Sequence, residues 1–173
     1  MAELLIALQQ MAIEIAEAEG VDPALFSRLV MQESSWNPTA GVDEGQPFPS
    51  YVGLGQLNET FGGYFISLHG KGVVKFHRLA NSRFGRYWTD ARIRATLLDP
   101  RINLTIAARE MRRLVEYFDD WQTALAAWNW GPGNVLQLRA ERPQDWMAHL
   151  PEETSWMIAK VLLPNALERY GMR

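Results

Sequence analysis

The pair Asp22-Pro23 fixes the phase of the helix that follows it, and so the direction of each side chain up to Met31–Pro38, MQESSWNP. An aspartate at the N-cap accepts from the first free amides, and a proline at the first helical position gives up an N–H that had no partner. Counted from that start, Phe26, Leu29 and Val30 share one stripe, and Glu33 is its next member, four beyond Leu29 and three beyond Val30. A carboxyl there loses solvation, and near a helix C-terminus it meets the negative end of the macrodipole, so both effects favour its protonated form. No Lys or Arg shares the stripe, and Arg28, five residues back, is turned to another side. Such a group is suited to donate a proton. On this stretch alone the plainer reading, a glutamate at a fraying helix end that reaches water, stands beside it.

The rest of the chain supplies a helical frame. The first twenty residues form an amphipathic pattern with Leu4, Leu8, Met11 and Ile15 as the expected buried stripe. Asn37-Pro38 ends the helix that carries Glu33, because the residue before a proline is pushed out of the helical region. A loop with Gly41, Gly45, Pro47 and Pro49 leads into Tyr51–Leu57, YVGLGQL, a possible short extended piece. Gly53 and Gly55 would let backbone approach a ligand there, and Gln56 offers a donor and an acceptor. Asp99-Pro100 repeats the cap-and-proline start and predicts a helix with Leu104, Ala107, Met111, Leu114, Val115 and Phe118 inside. Trp121 to about Trp130 reads as a helix rich in small residues, stopped by Gly131-Pro132-Gly133, with Trp128 and Asn129 at its exit. A last helix is predicted from Pro151, with Trp156, Ala159, Leu163 and Ala166 buried and a kink at Pro164. The expected fold is mainly α, five or more helices in one domain of 173 residues.

Several classes of chemistry are disfavoured. With no cysteine there is no disulfide, thiolate metal site or cysteine nucleophile. His69, His77 and His149 lack metal-ligand spacing, no nucleophile-elbow motif is present, and no cofactor or metal is expected. No apolar run approaches the ~20 residues that span a bilayer, so membrane insertion is not expected. Residues 62–98 carry seven basic residues, Lys71, Lys75, Arg78, Arg83, Arg86, Arg92 and Arg94, against Asp90 alone, with aromatics interleaved. That pattern suits nucleic acid or another anionic polymer, and equally a solvated face over a small core. Nucleic acid is the disfavoured choice, because the whole chain has a pI near 5.6 and no nucleic-acid motif accompanies the segment.

Taken in order, five blocks resemble the catalytic domain of soluble lytic transglycosylases, the branch of the lysozyme superfamily related to goose-type lysozymes. GVDPALFSRLVMQESSWNP is similar to the family's first block, and GLGQL to its second, usually GLMQ. DPRINLTIAAREMRRL resembles the approach to the third, ALAAWNWGPGNV resembles the third itself, usually ALAAYNAGPG, and LPEETSWMIAKVL resembles the last. The resemblance implies a lysozyme-like single domain over residues 1–173, with a basic, aromatic-rich insertion at about 62–98. It implies that Glu33 is the catalytic acid/base, and that Leu54, Gly55, Gln56, Trp128, Asn129 and Glu153 bind the glycan. The implied reaction cleaves the bond between N-acetylmuramic acid and N-acetylglucosamine in peptidoglycan without water, leaving a 1,6-anhydro product, by a monomer that needs no cofactor.

The departures from the family pattern bear on the cleft. The serine nine residues beyond the glutamate is Val42 here, the methionine of the second block is Gly55, and Ser155 and Met157 replace an arginine and a tyrosine. A hydrolysing muramidase is the neighbouring alternative, with Asp43 or Glu44 in the long loop placing a water opposite Glu33. A wall-binding or virion module without activity is the alternative from another class. An acid kept on an apolar stripe argues against it, since such an acid costs stability unless it is used. The acidic first segment, without Lys or Arg, is unlike a signal peptide's basic start. The expected route to the wall is a bacteriophage endolysin released by a holin or an enzyme carried on the virion, and a trimmed piece of a secreted bacterial protein would read the same way.

Overall fold

The structure, a computed structural model, describes residues 2–42, 51–58, 66, 68–70, 72–73 and 90–163. The described elements are α1 (Ala2–Glu19), α2 (Pro23–Ser34), β1 (Tyr51–Val52), β2 (Leu57–Asn58), α3 (Asp90–Leu97), α4 (Pro100–Phe118), α5 (Trp121–Trp130), α6 (Pro132–Glu141), a 3-10 turn (Trp146–His149) and α7 (Glu152–Leu162). The mainly helical class read from the sequence is what is found. The chain forms two compact units, residues 1–110 and 111–173, with the boundary inside α4.

In the first unit α1 packs on α2, and the capping chemistry sets the register of α2. Asp22 Oδ1 accepts from the amides of Ala24 and Leu25 at 2.9 Å each, a cap worth about 1 kcal/mol. Phe26, Leu29 and Val30 are then buried at 0–1% exposure. The helix stops at Ser34, three residues before Asn37-Pro38, because Ser35 turns left-handed at φ 51° and its N–H closes on the Met31 carbonyl. Asn37 instead shapes the exit loop, its Oδ1 accepting from the Thr39 amide and hydroxyl. The buried stripe of α1 is Leu8, Ala12, Ile15 and Ala16, whereas Leu4 is 57% exposed. Of the expected stripe Leu8 and Ile15 are buried, Met11 is half-buried and Leu4 is exposed, so the buried face is shifted toward Ala12 and Ala16.

The extended piece around residue 51 is an antiparallel hairpin, Tyr51 opposite Asn58 and Val52 opposite Leu57, joined by the turn 53–56. Behind it, α4 starts where Asp99 predicts, with the Ile102 amide on Asp99 Oδ1 at 2.9 Å. Leu104, Ala107, Met111, Leu114 and Phe118 are all buried, as their spacing requires, whereas Val115, also expected inside, is half-buried at the margin of that face.

In the second unit α5 packs against both α6 and α7. Asp120 caps α5 through the Thr123 amide at 2.6 Å, and Ala124, Ala126 and Ala127 are buried, the small side chains that allow close helix contact. Gly131, at φ 93°, ends α5, and Pro132 then opens α6, a helix the Gly-Pro-Gly reading treated only as a stop. α7 buries Thr154, Met157, Ile158 and Val161. Its face is thus rotated from the expected one, with Trp156 and Ala159 half-buried and Leu163 60% exposed. The helix ends at Leu162 rather than continuing through a kink, because Leu163 precedes a proline; Pro164 and Ala166 lie outside the described residues. No helix among the described residues is long and apolar enough to cross a membrane.

Candidate functional site

Glu33 occupies the last turn of α2, half-buried, on the stripe of Leu29 and Val30. The chain immediately beyond it is constrained. Ser35 and Trp36 are successive non-glycine residues in left-handed conformations, φ 51° and 64°, and Trp36 is only 8% exposed. Each such residue costs about 1–3 kcal/mol unless its surroundings hold it, and such strain clusters at ligand and catalytic sites. The buried indole and the closure of the Ser35 amide on Met31 provide that hold.

The turn of the hairpin is the second built feature of this unit. Gln56 has φ 45°, and its Nε2 donates to the Gly53 carbonyl at 2.9 Å, so its donor end holds the turn. Leu54 is 0% exposed, so its side chain fills the core. Gly55 is buried as well, its N–H given to Asn103 Oδ1 at 2.8 Å. The Gly53 amide reaches the Ala40 carbonyl at 3.0 Å, which ties the turn to the loop leaving α2. A Cβ on Gly55 would lie 2.8 Å from the Ala107 Cβ. Restoring the family's usual residue by Gly55→Met is therefore expected to destabilise the chain by about 1–3 kcal/mol, the usual cost of overpacking, read as a lower urea midpoint. An unchanged midpoint would show that the turn yields freely.

In the second unit Trp128 and Asn129 end α5, half-buried and exposed respectively, while Glu153 is exposed in the first turn of α7. Thr154 joins the two helix ends: nearly fully buried, its hydroxyl donates to Asn129 Oδ1 at 2.6 Å and so engages the acceptor end of that amide. A groove of 360 Å³ in this unit, lined by residues such as Met147, Ile158 and Leu162, includes Ser155, one of the departures from the family pattern, but not Trp128, Asn129 or Glu153. Asp43, Glu44, and Lys71, Lys75 and Arg78 of the basic segment lie outside the described residues.

Two polar features escaped the sequence reading. Asn103, fully buried, holds the hairpin turn. Glu110, 7% exposed, meets His69 Nε2 at 2.6 Å, while Arg109 bonds Glu19 at 2.9 Å and the His69 carbonyl. Both side chains sit on the inner side of α4, so a polar residue on an apolar stripe, the signal that exposed Glu33, would have found them. Among the described residues no group of three or more potential ligands is placed to hold a metal ion.

In a mainly helical chain, then, one helix ends in a half-buried glutamate, two left-handed residues follow it, and the same unit contains a short hairpin. The transglycosylase SLT domain family matches residues 10–147, and the chain belongs to that family. The matched stretch contains Glu33, the hairpin and the end of α5; Glu153 lies beyond it. The structure resembles the lytic transglycosylase Slt of Pseudomonas aeruginosa, solved as an inactive glutamate-to-glutamine mutant, with TM-score 0.62 and 20% identity over 88% of this chain and 22% of that one. It also resembles the 70 kDa soluble lytic transglycosylase of Escherichia coli, with TM-score 0.66 and 19% identity over 94% of this chain and 24% of that one. At that identity the likeness is one of fold, and the chain spans about a quarter of the length of those enzymes. No curated protein sequence matches the chain significantly.

Proposed function

We propose that this chain is the catalytic domain of a peptidoglycan lytic transglycosylase in which Glu33 is the acid and then the base. The observation that carries the reading is the placement of Glu33: a half-buried carboxyl at the end of α2, on an apolar stripe, followed by two left-handed residues, within the span matched by the family. The glutamate-to-glutamine change in the inactive P. aeruginosa relative points to the same residue type.

In this reading the Glu33 carboxyl gives its proton to the oxygen linking the muramyl C1 to the next N-acetylglucosamine, and the C1–O bond breaks with that sugar leaving as its alcohol. The muramyl N-acetyl oxygen covers C1 meanwhile. The Glu33 carboxylate then takes the proton of the muramyl 6-hydroxyl as its oxygen attacks C1, closing the 1,6-anhydro ring and restoring the acid. No water is consumed and no second carboxylate is required. Gln56 and the backbone of Leu54 and Gly55 serve as glycan contacts in the first unit, with Trp128, Asn129 and Glu153 in the second.

The test is release of soluble muropeptides from purified peptidoglycan by the wild-type chain. Absence of release from every wall type tried would remove the enzymatic reading. The family match running through both units supports one catalytic domain over residues 1–173, so a single cooperative thermal transition is expected, and two resolved transitions would contradict it. A monomeric state is part of the same proposal; it rests on the family reading, and sedimentation velocity tests it.

A further inference from the structure

We infer that Asn103 is the positioning residue of the glycan-binding turn, acting through the backbone of residues 52–55; the inference rests on the proposal that this turn contacts the glycan. Asn103 lies one turn inside α4, 0% exposed, on the same stripe as Ala107 and Met111. A primary amide in such a place must have its donors and acceptor satisfied or cost stability. Its partners come from two directions. Nδ2 donates to the Val52 carbonyl at 3.1 Å and to the Leu97 carbonyl at 2.7 Å, and Oδ1 accepts the Gly55 N–H at 2.8 Å. One side chain thus uses both amide hydrogens and its oxygen to bind the backbone before and after Gly53 and Leu54, and ties that backbone to the end of α3.

The glycines of the turn answer to this contact. A Cβ on Gly53, which has φ 76°, would strike Asn103 Nδ2 and lie 2.8 Å from the Leu97 carbonyl oxygen, and a Cβ on Gly55 would lie 3.2 Å from Asn103 Oδ1. The backbone is therefore pressed onto the amide, and the glycines are required by the helix behind the turn as well as by any ligand in front of it. On its other side the Gly53 amide is held by the Ala40 carbonyl. The turn is clamped between α4 and the exit loop of the helix that carries Glu33, and Gln56, at φ 45°, inherits its direction from that clamp. Asn103 itself is buried under the turn and is not a glycan contact.

The experiment compares Asn103→Leu and Asn103→Asp with Leu8→Ala, a cavity in the α1 stripe that serves as the control for lost stability alone. Amide exchange at Gly55 and kinetics on a short soluble glycan are both measured in the full chain at a temperature where each variant is folded. Asn103→Asp keeps the acceptor for the Gly55 N–H and loses the paired donors, so Gly55 is expected to stay protected while KM rises. Asn103→Leu is expected to lose Gly55 protection and about 100-fold in kcat/KM, the scale of an error of about 1 Å in placement. Leu8→Ala is expected to change neither at matched loss of thermal midpoint. If Asn103→Leu does not fold, Asn103→Asp against Leu8→Ala still decides the matter through the rise in KM. Gly55 protection unchanged in Asn103→Leu, or kinetic losses equal to those of Leu8→Ala, would overturn the inference. A wild-type chain without activity would defeat the functional proposal, while the Gly55 exchange would still report whether Asn103 holds the turn.

Discussion

Wall lysis by Glu33→Gln is expected to fall by about 10²–10⁴-fold, the contribution of a well-placed general acid, with the fold intact. Glutamine keeps the length and hydrogen-bonding shape of the side chain and removes only the proton that can be transferred. Stability is expected to hold or rise, for a reason visible in α2. Glu33 lies in the last turn, beside the negative end of the helix dipole, and on a stripe whose preceding members are 0–1% exposed. Both effects weigh on a carboxylate and spare a neutral amide, while the contacts that Glu33 makes set the other side of the balance. Clearing of purified walls together with thermal melts checks both halves. Lysis within tenfold of wild type would exclude Glu33 as the acid, and a collapsed melt would mean that the carboxylate is held by its surroundings for structure.

Much of the frame could be read from capping pairs, because an N-cap fixes the phase of the turns that follow it. Asp22-Pro23 placed Glu33 correctly on its stripe, and Asp99-Pro100 placed Leu104 to Phe118. Where no cap fixed the phase, hydrophobic spacing was ambiguous. The face of α7 that includes Thr154 and Met157 and the one that includes Trp156 and Ala159 have similar composition, and packing chose the first. Gly131-Pro132 was read as an end, although a proline after a glycine with positive φ also starts a helix, and α6 begins there. The hairpin was visible as a glycine-rich extended piece. Its anchor was not, because Asn103 is 48 residues from Gly55 and reaches it only through the fold. Thr154 was hidden for a similar reason: the sequence drew attention to the charged Glu153 beside it, yet the residue that orients Asn129 is the neutral one, 25 positions along the chain.

Digestion products are expected to end in 1,6-anhydro-muramyl residues, lighter by one water than the reducing ends a hydrolase leaves and resistant to borohydride. The argument turns on where a second carboxylate stands. Hydrolysis with one acid needs a further base to hold water, opposite that acid in an inverting enzyme. α4 does carry a buried acid, Glu110, which the spacing of apolar residues alone had not brought out. It is engaged with His69 Nε2 at 2.6 Å, beside the Arg109–Glu19 pair. An acid already bonded to a buried imidazole is poorly suited to hold a mobile water. Val42, where the family has serine, contributes no hydroxyl or carboxyl for that purpose. Water activation would then call on a carboxylate such as Asp43 or Glu44, while intramolecular attack by the muramyl 6-hydroxyl needs only the group that Glu33 provides in the proposed reaction. Mass spectrometry of purified muropeptides before and after borohydride decides between them. Reducible products, lost on Asp43→Asn or Glu44→Gln, would make the enzyme a muramidase with a loop carboxylate as its base. Reducible products that survive both substitutions would point to Glu110, and Glu110→Gln with His69→Gln would then separate a catalytic acid from a structural pair by whether activity or the melting midpoint falls first.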